Sequence, residues 1–169
     1  VYKRQGLYFA SDRSGEWQIW RAVLGEEENA TAEQMTRGGG YAPRASPDGR
    51  YLYFARQRAD LTSGVTSIWR MPAAGGDEEA VVESSRSGFG QWELTTRGLY
   101  FVDQEHSPTR TRWVVKFVGF DQARPKEVVE LERPMDFLGP SFSVSPDGRW
   151  ALGTLERRDA DLMMVEGFC

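Results

Sequence analysis

The sequence predicts an all-β chain assembled from repeated units, and three observations carry that prediction. An L-Y-F core recurs in GLYFASD from Gly6, YLYFARQ from Tyr51 and GLYFVDQ from Gly98, which places Leu7, Leu52 and Leu99 at spacings of 45 and 47 residues. The five residues SPDGR occur twice, at Ser46–Arg50 and Ser145–Arg149, each time ahead of an apolar run. The 18 glycines and 8 prolines are scattered rather than clustered, as many turns between short strands require.

Within a unit the elements follow in a fixed order. The first strand precedes the turn and reads YAPRAS from Tyr41, GQWELT from Gly90 and PSFSVS from Pro140. The second is the L-Y-F strand, with WALGTLE from Trp150 as a looser fourth copy. The third reads QIWRAVL from Gln18, SIWRMPA from Ser67, RWVVKFVGF from Arg112 and DLMMVEGF from Asp161. The fourth is short and alternating, as in EQMTR from Glu33, EAVVES from Glu79 and KEVVELE from Lys126. Alternation puts Leu52 and Phe54 on one face of their strand and Tyr53 on the other. Leu52, Phe54, Ile68 and Trp69 are expected in the core.

Four strands in roughly 45 to 50 residues is the period of a β-propeller blade. The predicted architecture is therefore a partial β-propeller of about three and a half four-stranded antiparallel blades, spanning 6–38, 39–86, 87–133 and 134–168. The first blade begins at its second strand, and the last stops at its third. Residues 6–168 are expected to form the C-terminal part of one propeller domain, and Val1–Gln5 to be a non-native cloning scar. An open arc of this kind leaves Leu7 and Phe9, or their neighbour Tyr8, in an uncovered apolar patch, so self-association is expected.

The repeated pentapeptide has a turn chemistry. Pro47 and Pro146 preset φ at the second turn position, Asp48 and Asp147 bond the local backbone, and Gly49 and Gly148 take the left-handed conformation. Ser46 and Ser145 open the turn. The intervening unit reads as the same turn in decayed form, with Thr95-Thr96-Arg97 replacing Ser-Pro-Asp and Gly98 keeping the glycine. At these residues the chain resembles the TolB-like propeller repeats: PRASPDGRYLYFA at Pro43–Ala55 fits one half of that pattern and FASDRSGEWQIWRA at Phe9–Ala22 the other. The resemblance extends from Gly6 to Phe168. It implies a bacterial propeller used for recognition, in some chains behind a winged-helix or a serine/threonine kinase domain, and it implies no particular ligand.

Composition narrows the partners. A net charge of −4 with no block of Lys and Arg argues against nucleic-acid binding by this segment. Its apolar runs fall well short of the roughly 20 residues of a spanning helix, so no membrane contact is expected from it. A single cysteine, Cys169, makes no internal disulfide and leaves the compartment open between bacterial periplasm and cytoplasm. The one histidine, His106, reads as a solvated loop residue, and no G-x-S-x-G serine accompanies it. No catalytic residue, cofactor or metal site is expected, because Asp12, Asp48, Asp103 and Glu105 fall in turns or at strand ends, where they cap backbone. Arg110 and Arg112 fit a solvent-facing strand edge.

Tryptophans recur at strand positions and suit packing between blades. Trp92 differs: it takes the place of Pro43 on an innermost strand, and Arg44 and Trp92 are the candidates for channel-facing binding. The function this supports is a non-catalytic protein- or ligand-binding module, a sensor or scaffold, whose other partners are the remaining blades of its propeller. The competing reading is the propeller of a prolyl-oligopeptidase-like serine peptidase, with the hydrolase domain outside this chain.

Overall fold

A computed structural model describes residues 6–23, 31–57, 65–85, 90–122, 124–135 and 142–154. Residues 1–5, expected to be a cloning scar, the strand expected from Asp161 and Cys169 lie outside the described residues. Among those described there is no helix, and every strand pairing is antiparallel.

The chain folds into successive local sheets. The first contains β1 (Gly6–Ser11), β2 (Gln18–Val23) and β3 (Ala32–Gln34). The second contains β4 (Tyr41–Ala45), β5 (Tyr51–Gln57), β6 (Thr66–Pro72) and β7 (Glu79–Ser85), and the third β8 (Trp92–Leu94), β9 (Gly98–His106), β10 (Thr111–Gly119) and β11 (Lys126–Leu131). A two-stranded sheet of β12 (Phe142–Val144) and β13 (Ala151–Gly153) follows. Within each sheet, neighbours in space are neighbours in sequence, as a meander demands. Among the described residues no strand pairs with the free edge of β1.

Alternation decides how the sheets stack. Leu52 and Phe54 of β5 join Ile19 and Met71 in a cluster against Tyr8 and Ala10, closing the seam between first and second sheets. The other face of the second sheet sends Tyr53, Ile68 and Val82 against Trp92, Leu99 and Phe101 of the third. Val102, Trp113 and Val115 then meet Phe142 and Val144 of the fourth. Each central sheet is buried on both faces, and full burial of one Leu or Phe contributes roughly 1.5–3 kcal/mol. Polar contacts brace the first sheet and tie the second sheet to the segment that follows the first. Thr36 Oγ1 donates to Gln18 Oε1 at 2.8 Å and accepts from the Ile19 amide at 2.9 Å, while Arg56 Nε donates to the Gly39 carbonyl at 3.1 Å.

Three expectations about packing need correction. Leu52, Phe54 and Ile68 are buried, but Trp69 is only half-buried: it packs at the rim of the cluster between first and second sheets, with the Arg56 guanidinium 4.3 Å from its ring centre. Trp92 and Trp113 sit in the seams, whereas Trp17 and Trp150 are exposed. His106 closes β9, paired with Thr111 of β10, and does not lie on a loop.

The two SPDG turns are near copies. Gly49 and Gly148 hold φ of 70° and 69°. The Gly49 amide donates to the Ser46 carbonyl at 2.8 Å, and the Tyr51 amide to Ser46 Oγ at 2.9 Å. In the second copy the Gly148 amide donates to the Ser145 carbonyl at 2.8 Å, and the Trp150 amide to Ser145 Oγ at 3.0 Å. Ser46 and Ser145 hydroxyls donate to Asp48 and Asp147 at 2.5 and 2.6 Å. These hydrogen bonds, with a second from the Arg50 and Arg149 amides, hold both carboxyls below the usual carboxylate range.

The β8–β9 turn is different in kind, which corrects the reading of Gly98. Here the Thr95 amide donates directly to the Gly98 carbonyl at 2.9 Å, whereas Ser46 donates to Tyr51 at 2.8 Å. Gly98 therefore stands in the place of Tyr51, and the loop between the paired residues shrinks to Thr96-Arg97. Its glycine is required by crowding: a Cβ would lie 2.3 Å from the Val118 carbonyl oxygen.

Candidate functional site

Counting back two residues from the residue that opens each turn gives Arg44 before Ser46, Glu93 before Thr95 and Ser143 before Ser145. The register confirms that these positions are equivalent: Arg44 pairs with Tyr53, Glu93 with Tyr100 and Ser143 with Leu152, each opposite the same position of the next strand. They lie on β4, β8 and β12, the terminal strand of each sheet. Stacking brings the three side chains into a row. Arg44 Nη1 lies 3.2 Å from Glu93 Oε1, and Ser143 Oγ donates to Glu93 Oε2 at 3.3 Å.

The two residues singled out from sequence are brought together. The Arg44 guanidinium carbon sits 5.2 Å from the centre of the Trp92 ring. Trp92 is 1% exposed, however, so its ring offers no open platform to a ligand. It faces the second sheet, where Tyr53 and Val82 cover it. The accessible part of the pair is Arg44 with Glu93, both partly exposed. Arg44 Nε and Trp92 Nε1 are buried N–H donors without an acceptor, an arrangement found on few groups of a folded protein.

Sequence reasoning missed Glu93 and Ser143. The signal was available in the offset from the turn, which is independent of residue type. The local backbone explains why Arg44 is set as it is. A bulge between Tyr41 and Arg44 shifts the register, with Ala42 at φ 49°, and carries Arg44 opposite Tyr53 on the face turned to the third sheet.

Several charged side chains elsewhere are paired within the sheets. Lys116 lies 2.8 Å from Asp103 and 2.7 Å from Glu105. Arg112 is 2.7 Å from Glu127, and Arg110 pairs with Glu130. The exposed His106 ring bonds Thr111 Oγ1 at 3.0 Å. Among the described residues no group of three His, Cys, Asp or Glu is placed to hold a metal ion, and no helix is long and apolar enough to cross a membrane.

No protein-family model and no curated protein matches the sequence. Solved structures do. An oligogalacturonate lyase in complex with manganese superposes with a TM-score of 0.55 at 17% identity, over 88% of this chain and 48% of the lyase chain. The β-propeller domain of the Trilobed protease from Pyrococcus furiosus, described as having an open velcro topology, gives a TM-score of 0.44 at 16% identity over 76% of this chain and 38% of that one. The chain thus spans about half the length of the lyase. Likeness at such identity reports fold and not chemistry. The stacked meander sheets and the likeness to the lyase define the fold as that of a β-propeller module.

Proposed function

We propose that this chain is a non-catalytic recognition module of the TolB-like propeller type, serving as sensor or scaffold within a larger bacterial protein such as a winged-helix regulator or a serine/threonine kinase. The observation that carries this reading is the Arg44–Glu93–Ser143 row. One side chain per sheet, at an equivalent position of each terminal strand, is how a propeller presents a composite surface towards its axis. The row is polar and partly exposed, and it combines an ion pair with a hydroxyl. That mixture suits binding of a protein or small ligand through hydrogen bonds. Its one hydroxyl, Ser143 Oγ, donates to Glu93, whose other carboxylate oxygen lies against Arg44.

The remaining blades are the second partner in this reading. Leu7 and Phe9 occupy the positions that Leu52 and Phe54 occupy in the second sheet, where the first sheet covers them. A further sheet of the same repeat fits the outer face of the first.

The genomic reading frame on both sides of this segment tests the proposal. The expected result is further propeller repeats upstream, joined to a regulatory domain, with a stop codon after Cys169. A downstream hydrolase domain carrying G-x-S-x-G would overturn it in favour of a prolyl-oligopeptidase-like peptidase.

A further inference from the structure

The seam between second and third sheets opens, at the end marked by the β4–β5 turn, into a groove of about 640 Å³. That volume falls within the roughly 300–1,000 Å³ of small-molecule sites. The groove is lined by the turn itself, by Arg70 of β6 and by Phe120 and Asp121 beyond β10, and the Arg44–Glu93–Ser143 row is not part of it.

Its walls are aromatic and its donors converge. Arg70 and Arg50 both approach the Tyr51 ring, at 4.9 and 6.0 Å from its centre. Phe120 tilts against Tyr53 at 6.1 Å while remaining partly exposed. Arg70 and Tyr53 both line this space, Tyr53 as its buried floor with 1% exposure.

The carboxylates at the rim are committed or solvated. Asp48 Oδ1 accepts from Ser46 Oγ at 2.5 Å and from the Arg50 amide at 3.0 Å. Glu79 pairs with Arg70 Nε, leaving the terminal guanidinium nitrogens, and Asp121 is exposed on the β10–β11 connection. Among the described residues no ion pair uses Arg50. Two guanidinium groups therefore face one space with aromatic walls.

We propose that this groove binds a small ligand carrying one oxyanion on an apolar body, an aryl or alkyl carboxylate. The oxygens take Arg50 and the free nitrogens of Arg70, in charge-assisted bonds. The body lies against Tyr51 and Phe120. Asp48 and Asp121 at the rim select against polyanions by like-charge repulsion.

The test is an NMR titration of the protein with benzoate, with benzamide and acetate as controls. Benzoate is expected to shift the Arg50, Arg70, Tyr51 and Phe120 signals saturably, at least about tenfold more tightly than either control. The Arg50→Gln variant is expected to lose about tenfold in benzoate affinity, the equivalent of one charge-assisted hydrogen bond, with an unchanged circular dichroism spectrum. The proposal is overturned by an absence of saturation up to about 10 mM benzoate, by benzamide or acetate binding equally well, or by Arg50→Gln binding benzoate as the parent does.

Discussion

The first and second sheets carry the same L-Y-F strand in two different surroundings. In the second, Leu52 and Phe54 are 0% exposed beneath Tyr8 and Ala10 of the first sheet. In the first, Leu7 is 52% exposed, and Phe9 is half-buried under the Arg13 guanidinium, 5.0 Å from its ring. The motif therefore specifies a stacking face, and the preceding sheet decides whether that face becomes core. The far end repeats the lesson: Leu152 stands in the place of Tyr53, yet Leu152 is 78% exposed and Tyr53 is buried.

The sharpest break of this comparison is truncation at the two equivalent phenylalanines. Phe54→Ala is expected to destabilise by about 3–5 kcal/mol, because a cavity opens in a closed seam. Phe9→Ala should cost about 1 kcal/mol or less, since little apolar area leaves water there. Urea denaturation of both variants checks the contrast, and equal losses would mean that the outer face is covered in solution.

The turns provide a second contrast of intermediate size. Gly98→Ala is expected to cost about 2–3 kcal/mol, because its Cβ collides with the Val118 carbonyl and the strands must part. Gly49→Ala meets nothing within 4 Å and carries only the strain of its φ of 70°, about 1 kcal/mol. Melting temperatures in the order parent, Gly49→Ala, Gly98→Ala would bear this out.

Smaller effects concern association and pH. Leu7→Lys should reduce self-association seen by light scattering with little change in melting temperature, since the side chain already meets solvent. The SPDG carboxyls are the weakest lever. Their folded pKa values lie below the ordinary range, so whatever stability Asp48 and Asp147 contribute is present above the unfolded-state pKa and lost as pH falls through the folded one. Replacing both with Ala should lower the melting temperature slightly at neutral pH and leave it nearly unchanged in strong acid, so that the acid limb of the curve flattens.

Much of this fold was legible because alternation and turn chemistry are local. Leu52, Phe54 and Ile68 announce a two-faced strand pair, and Ser46-Pro47-Asp48-Gly49 encodes its own hydrogen bonds. Three features were not legible, for physical reasons. The shortened β8–β9 loop was hidden because Gly98 mimics Gly49 in identity while serving close approach rather than a left-handed turn. The half-burial of Trp69 arises beside Arg56, whose position is set by Gly39 and Glu78 in other segments. The Arg44–Glu93–Ser143 row consists of three unlike side chains, so residue similarity conceals it and only register shows it.

The rate of thiol labelling tests the central claim most directly. In a Cys169→Ser background, Leu7→Cys and Leu52→Cys place one probe at equivalent positions of the first and second sheets. The stacking account predicts that the variant at position 7 labels close to the rate of an exposed thiol, and that the one at 52 labels only through unfolding, at least about a thousandfold more slowly. Equal rates at the two positions would show that the sheets do not stack as described, and with that the shared seam and the row built across it would fall.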